Sequence, residues 1–226
     1  PLGVPDVNGK NSSKAFSIDV QVESGSFDRI VIETVIDSKV HKILEQSGSY
    51  AVGTHSFAWD GFIGDVYDSK RMTDTGVHLV VKGFEGSTEK GNANYTAKFK
   101  YNIRDWLDVK IDKAQKHIDI TMRVNFDYAV NGLQQGHKVP LSKQTKGAPI
   151  STQTVSESEL CTHALKGIGM YWSRVKTNNK GKNIHIGSEA YEVKTTAVVS
   201  ESHAMPKMKL IFNTNEKKYW TVKANS

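Results

Sequence analysis

Two sets of residues in this sequence are of types that could do chemistry, namely eight histidines and a run of aspartates. The aspartates lie close together along the chain, at Asp105, Asp108, Asp112, Asp119 and Asp127. Histidines hold zinc, and paired carboxylates transfer protons or hydrolyse glycosides. The spacing does not favour a metal site, because the sequence has no His-Glu-x-x-His string and no histidine pair four residues apart. We therefore predict no metal ligand and no bound cofactor.

The segments around the aspartates have the alternating pattern of a β-hairpin. Residues 108–111 and 117–126 alternate between apolar and polar side chains, and residues 112–116 form a tight connection. Carboxylates on such strands are expected on the outward, solvated face. The sequence also lacks a Gly-x-Ser-x-Gly nucleophile elbow and a glycine-rich phosphate loop. A toxin enzyme of the hydrolase class, possessing a peptidase-like site built from dispersed Asp and His residues, stays open as the alternative.

Composition sets limits on partners and compartment. The chain has 30 Lys+Arg against 24 Asp+Glu, a net charge of +6, but its lysines are spread along the sequence and do not favour nucleic-acid binding. No apolar run approaches the roughly 18–20 residues that cross a bilayer, and no signal peptide is visible. The single cysteine, Cys161, excludes an internal disulfide and is expected to be a small buried side chain.

The first part of the chain has a β pattern. Residues 1–14 are polar, begin with what resembles a tag remnant, and are predicted to be a disordered leader. Over residues 15–104 we predict an Ig-like antiparallel β-sandwich, because short strand patterns alternate with turn signals. The predicted strands are 16–22, 27–36, 40–44, 54–59, 76–81 and 94–101, with residues 85–94 as a loop. A short helix over 38–46 is the alternative to the third strand.

Residues 105–226 are predicted to form an α+β domain, a small sheet backed by one helix. Ser156 and Glu159 form a capping box that opens a helix at about 157–175. Its apolar stripe includes Leu160, Ala164, Ile168 and Trp172, and Gly167 and Gly169 would allow close packing on a sheet. A long loop at 129–155 precedes the helix, and strands at 184–186, 191–199 and 207–212 follow it. The expected fold class is therefore mainly β with an α+β second domain.

Aromatic residues and one strand edge are the candidates for binding. Trp59, Trp106 and the pair Tyr171 and Trp172 are expected to be buried. The last predicted strand is expected to be a sheet edge, and the aromatic pair beyond it to be exposed. The candidate partner-contact residues are Lys207, Met208, Lys209, Leu210, Ile211, Phe212, Tyr219 and Trp220.

Several segments resemble known modules of secreted bacterial proteins. VIDSKV at 35–40, GTHSFAWDG at 53–61 and GVHLVV at 76–81 resemble the Ig-like domain of the flagellar hook-capping family. In the second part, WLDVKID at 106–112, HIDITMRV at 117–124, GIGMYWSR at 167–174 and AMPKMKLIFNTN at 204–215 resemble a module of type VI secretion system effectors and spike extensions. The order of hairpin, helix and strands is also similar to the front lobe of a zincin peptidase.

This resemblance implies a secreted antibacterial effector that is delivered into a target cell, into its periplasm. Its implied partners are a secretion spike or carrier protein and a cognate immunity protein. In the family the module tends to precede a His-Glu-x-x-His zinc motif, which these 226 residues do not contain, so no zinc ligand is assigned. We predict the non-catalytic portion of such an effector, acting in carriage, docking or target binding. A stand-alone adhesive or immunity-type binding protein is a further alternative.

Overall fold

A computed structural model describes residues 15–100, 105–128, 156–177 and 181–210 of the chain. These ranges are mainly β, with a small α+β part, as the sequence predicts. The elements are β1 (Phe16–Ile36), β2 (Lys39–Trp59), β3 (Val66–Asp68), α1 (Ser69–Asp74), β4 (Val77–Glu85), β5 (Thr88–Ala97), β6 (Leu107–Asp112), β7 (His117–Val124), β8 (Phe126–Tyr128), α2 (Glu157–Trp172), β9 (Ile184–Ile186), β10 (Glu189–Val199) and β11 (Met208–Leu210). The predicted leader and the predicted loop at 129–155 lie outside the described residues.

The first sheet is antiparallel, in the order β2-β1-β4-β5, and is dominated by one long hairpin. β1 and β2 have 21 residues each, where the sequence predicts two separate strands in each place. The predicted turn joins them, because Asp37 and Ser38 both have positive φ, of 49° and 62°. The alternative helix over 38–46 is wrong, since those residues pair with β1 in register from Val35 opposite Val40 onward.

A large bulge interrupts the long hairpin and explains why the sequence pattern breaks there. Val22 is opposite Gly53 and Ser26 is opposite Ala51, so three residues of β1 face a single residue of β2. Gly25 in this bulge has a φ of +74°, which side-chain-bearing residues rarely adopt. Extra residues on one strand bend a hairpin, and sandwiches turn their corners in this way. Side chains from both sides of the bulge enter one buried cluster, including Val22, Ile30 and Ile32.

The hairpin of β4 and β5 replaces a predicted loop. Residues 85–94 were expected to be a loop because they are polar throughout, and this prediction is wrong. The chain turns at Gly86, with a φ of +59°, and pairs from Glu85 opposite Thr88 to Val77 opposite Ala97, with one register shift between Gly83 and Phe84. β5 is an edge strand with nearly all of its side chains exposed, so its polar composition reflects exposure and its backbone pairing alone makes it a strand.

The second sheet has the order β3-β6-β7-β10-β9. The hairpin of β6 and β7 is confirmed, and its turn is fixed by Asp112, whose carboxylate accepts from the Gln115 amide at 2.8 Å. β10 runs parallel to β7, whereas β3, from the first part of the chain, pairs with β6. Ile118 of β7 and Val193 of β10 belong to the same buried cluster as the side chains of the first sheet. The predicted division at residue 104 stays a prediction, but strands from both sides of it share this sheet.

The helix of the second part begins as predicted and ends earlier. Both hydrogen bonds of the capping box at Ser156 and Glu159 are present. α2 ends at Trp172, because Ser173 is extended and Arg174 exchanges backbone hydrogen bonds with Val193 at 2.7 and 3.0 Å. Helix packing on the sheet is close at Gly169, where an added Cβ would lie 3.2 Å from the Thr195 carbonyl. No such neighbour lies near Gly167.

The predicted burial of the aromatic residues is only partly right. Trp59 is buried, with its indole donating to the Phe62 carbonyl at 2.8 Å. Trp106 is half-buried. Tyr171 and Trp172 are exposed, at 53% and 61%, so their predicted burial between helix and sheet is wrong. The helix meets β10 at its C-terminal end through Gly169 and Ser173, which leaves these two side chains outside the contact.

Candidate binding groove

A groove of about 750 Å³ lies beside the bulge of β1. We call it the β1 groove. It is lined by residues 20–27, Ile30, Val81, Gly83, Glu85 and residues 90–93. Its volume lies within the range of about 300–1,000 Å³ that is typical of ligand sites.

One wall of the β1 groove is the edge of a strand. Residues 20–27 are consecutive, and because side chains of a strand alternate between its faces, a run of this kind lines a cavity with its backbone edge. β4 pairs with β1 only from Arg29 to Thr34, so in the described part of the chain residues 20–22, 26 and 27 pair with β2 alone, and residues 23–25 form the bulge. Their second edge therefore carries hydrogen-bonding groups that an added strand could use.

The opposite wall is formed by β5, the outer strand of the first sheet. Residues 90–93 of β5 line the groove, and Val81 and Gly83 of β4 lie opposite Ala93 and Gly91. The ring of Phe27 covers both glycines, since an added Cβ would lie 2.7 Å from it at Gly83 and 3.3 Å at Gly91. The two glycines thus make room for the Phe27 ring, which lines the groove together with Ile30 and Val81.

Charge at the rim of the groove is mixed. Lys90 pairs with Glu85 at 3.5 Å, and both side chains are exposed. Glu23 is exposed on the bulge, and no ion pair involves it within the ranges that the structure describes. The groove therefore carries one carboxylate that is not balanced by a neighbouring cation, and this favours a cationic group on a ligand.

Ion pairs beneath and beside the groove hold its strands in register. Glu33 accepts from Lys82 at 2.7 Å across β1 and β4, and this hydrogen bond raises the pKa of Lys82. On β2, hydrogen bonds from Lys42 and then from Arg29 lower the pKa of Glu45. These pairs contribute little stability individually. Glu33–Lys82 and Arg29–Glu45 link neighbouring strands, whereas Lys42–Glu45 lies within β2.

Comparison with known proteins does not place this chain in a family. Searches against known protein families, curated proteins and solved structures find no match. The resemblance to type VI effector modules and to the front lobe of a zincin therefore stays a prediction from the sequence motifs. The groove has to be interpreted from its own geometry.

The predicted partner-contact strand is present in part. Met208 to Leu210 form β11, which pairs in parallel with β8, and Lys207 and Lys209 are exposed. Within the described residues, the second edge of β11 has no strand partner, as expected of a contact edge. The remaining predicted contact residues, Ile211, Phe212, Tyr219 and Trp220, lie outside the described residues.

Among the aspartates, Asp108 departs from the expected solvated face. Its side chain is only 9% exposed and forms an ion pair with Arg123, which is 13% exposed. Arg123 also donates to the backbone carbonyls of Asp105 at 2.5 Å and His203 at 2.7 Å. Because the guanidinium joins β6, β7 and the segment before β11, this cluster has a structural explanation. The sequence pattern gave no sign of it, since Asp108 occupies an ordinary polar position of an alternating strand.

The histidines are dispersed. His117 lies 3.1 Å from Asp119 on β7, and His203 lies 3.4 Å from Asp105 in the segments before β11 and β6. No group of three or more metal-binding side chains occurs among the residues that the structure describes. Cys161 is half-buried on α2, where full burial was expected. Neither described helix has both the length and the apolar character needed to cross a bilayer.

The groove itself was not predicted from the sequence. The signal that could have indicated it is the polar segment at 23–26, Glu-Ser-Gly-Ser, between two alternating apolar runs. A glycine within a polar insertion is typical of a bulge. The two glycines that contact Phe27, Gly83 and Gly91, lie far from the bulge in the sequence. Their position beside Phe27 follows only from the pairing of β4 with β5.

Proposed function

We propose that this chain is the non-catalytic binding portion of a secreted antibacterial effector of the type VI secretion class. In this proposal it acts in docking, carriage or target binding, and it is delivered into the periplasm of a target cell. Its partners are a secretion spike or carrier protein and, after delivery, a target or an immunity protein. The observation that supports the binding role is the β1 groove, in which a strand edge without a partner among the described residues lies near the side chains of Ile30 and Val81.

Two features support this proposal over a general scaffold role. Strand edges that line a groove bind polypeptides through main-chain hydrogen bonds, whereas a sheet without a function usually blocks its edges. The edge of β11, which pairs with β8, offers a second and shorter contact surface. The secretion context comes from the sequence motifs of both parts.

The experiment combines a binding assay with a toxicity assay. The purified chain would be tested by biolayer interferometry against the spike-tip protein and the immunity candidate encoded beside it, with serum albumin as the control. The same chain would be expressed in the cytoplasm and periplasm of a sensitive bacterium. We expect saturable binding to one of the two proteins and no killing by this chain alone.

Catalysis would contradict the proposal. EDTA-sensitive cleavage of casein or peptidoglycan by the purified chain, or killing that is abolished by His117→Ala or Asp119→Ala, would establish the alternative of a toxin enzyme. These two partly exposed residues are suitable because, in the described structure, their side chains pair with each other, so the substitutions should leave the fold intact.

A further inference from the structure

The β1 groove lies between the edge of β1 and the strand β5, where a further strand could be added. We propose that the groove receives an extended segment of a partner polypeptide, which pairs with the free edge of β1 as an added strand. This inference rests on the proposed binding function and specifies its mode and the chemistry of the ligand.

The backbone of β1 supplies the first reason. Before the bulge, β1 pairs with β2 on one side, and only after it does β4 pair with the other side. Among the described residues, the edge of 20–27 on the side of β4 therefore has no strand partner, and β5, which lines the opposite wall, is the last strand of its sheet. An added strand would lie between two strands that each have an unpaired edge in the described structure. Such an arrangement is known as strand addition.

The side chains predict the pattern of the ligand. A strand in the groove would place every second side chain toward the base, near Ile30 and Val81, and the others toward solvent. The Phe27 ring already fills the space over Gly83 and Gly91, so ligand side chains on that face would contact this ring, Ile30, Val81 and Ala93. The ligand should therefore alternate between apolar and polar residues.

The charge of the β1 groove predicts the charge of the ligand. Glu23 at the bulge has no cationic partner in the described ranges, whereas Lys90 already pairs with Glu85. A Lys or Arg near one end of the added strand would pair with Glu23 and avoid an uncompensated carboxylate. We therefore expect a basic rather than an acidic segment.

The test begins with a library of linear nine-residue peptides displayed on phage and selected on the immobilised full chain. We expect enrichment of peptides that alternate apolar and polar residues and carry a Lys or Arg. The affinity of the best synthetic peptide would then be measured by fluorescence polarisation. N-methylation of an alternate set of its amides, those that face β1, should weaken binding by about tenfold for each hydrogen bond lost. N-methylation of the other set should have a smaller effect.

Matched variants of the chain locate the peptide. Ala93→Trp fills the groove, and we expect it to abolish binding. Asn94→Trp places the same side chain on the opposite face of β5, outside the groove lining, and should leave binding unchanged. Glu23→Lys should weaken binding of the basic peptide, whereas Glu201→Lys, a charge reversal at an exposed site outside the groove lining, should not.

Four outcomes would overturn the proposal. The library could yield no specific peptide, the selected peptides could bind Ala93→Trp as tightly as the unchanged chain, or N-methylation of the amides that face β1 could have no effect. Dimerisation that is blocked by Ala93→Trp, seen in sedimentation velocity, would identify a second copy as the occupant and equally reject the partner segment. If the peptide tests fail but the chain still binds the spike or immunity protein, the proposed function remains and the binding uses another surface.

Discussion

Phe27 lies directly over Gly83, so close that a Cβ at residue 83 would fall 2.7 Å from the aromatic ring. The two residues lie on neighbouring strands, β1 and β4, at the point where the bulge ends. The ring shields a stretch of β4 backbone that has no side chain of its own. This contact fixes the corner between the bulge and the hairpin of β4 and β5, and therefore shapes the β1 groove.

Substitution of Gly83 tests this contact. We expect Gly83→Ala to lower the free energy of unfolding by about 1–3 kcal/mol, because the new methyl group forces the Phe27 ring out of its position. Chemical denaturation monitored by circular dichroism measures the effect. The double variant Gly83→Ala with Phe27→Ala should lose less than the sum of the two single variants, since it removes the clash. Strict additivity would show that the ring and the glycine are not coupled.

The two glycines of α2 form a matched pair. Gly167→Ala should raise the free energy of unfolding by about 1 kcal/mol, because alanine favours the helix and no atom lies within 4 Å of the new Cβ. Gly169→Ala gains the same propensity but places its Cβ 3.2 Å from the Thr195 carbonyl, so we expect a smaller gain or a loss. Thermal unfolding of both variants provides the comparison. Equal gains would mean that α2 does not pack closely on β10.

The pair of Arg123 and Asp108 is expected to be important for stability. Arg123→Met leaves the nearly buried carboxylate of Asp108 without its cation, and such a loss costs about 3–5 kcal/mol. Urea unfolding of the variant measures it. Lys90→Met, which breaks the exposed pair with Glu85, is the matched control and should change stability by about 0–1 kcal/mol. A similar small effect for both variants would contradict the structural role of Arg123.

The capping box of α2 predicts a pH dependence. Hydrogen bonds from the Ser156 backbone amide and then from its hydroxyl lower the pKa of Glu159 below its ordinary value of 4.5. A carboxyl whose pKa is lower in the folded state stabilises the fold above the unfolded pKa, and this contribution disappears as the pH falls through the folded pKa.

We therefore expect Glu159→Ala to destabilise α2 near neutral pH, and to differ less from the unchanged chain well below pH 4.5. Amide hydrogen exchange of α2 at the two pH values measures the effect locally. Glu157→Ala, in the same first turn, is the control, because within the described ranges Glu157 is not part of the capping box. The capping assignment fails if the two variants respond to pH in the same way.

The sequence alone determined the elements whose pattern is local. The alternation in β6 and β7 and the turn at Asp112 predicted a hairpin that the structure contains. Ser156 and Glu159 predicted the beginning of α2, because a capping box requires only residues three apart. Burial of Trp59 also followed from its position in an apolar strand.

Tertiary structure decided the features that depend on which strands become neighbours. Polarity at 85–94 indicated a loop, but pairing with β4 makes this tract the edge strand β5. Likewise, Asp108 is buried because Arg123 of the adjacent strand neutralises it, and Trp172 is exposed because α2 meets β10 through smaller residues. The β1 groove arises where a bulge in β1 and the end of its pairing with β4 coincide. Local sequence patterns indicate which face of a strand is apolar. They do not specify which strand pairs with each edge, or which edge stays without a partner.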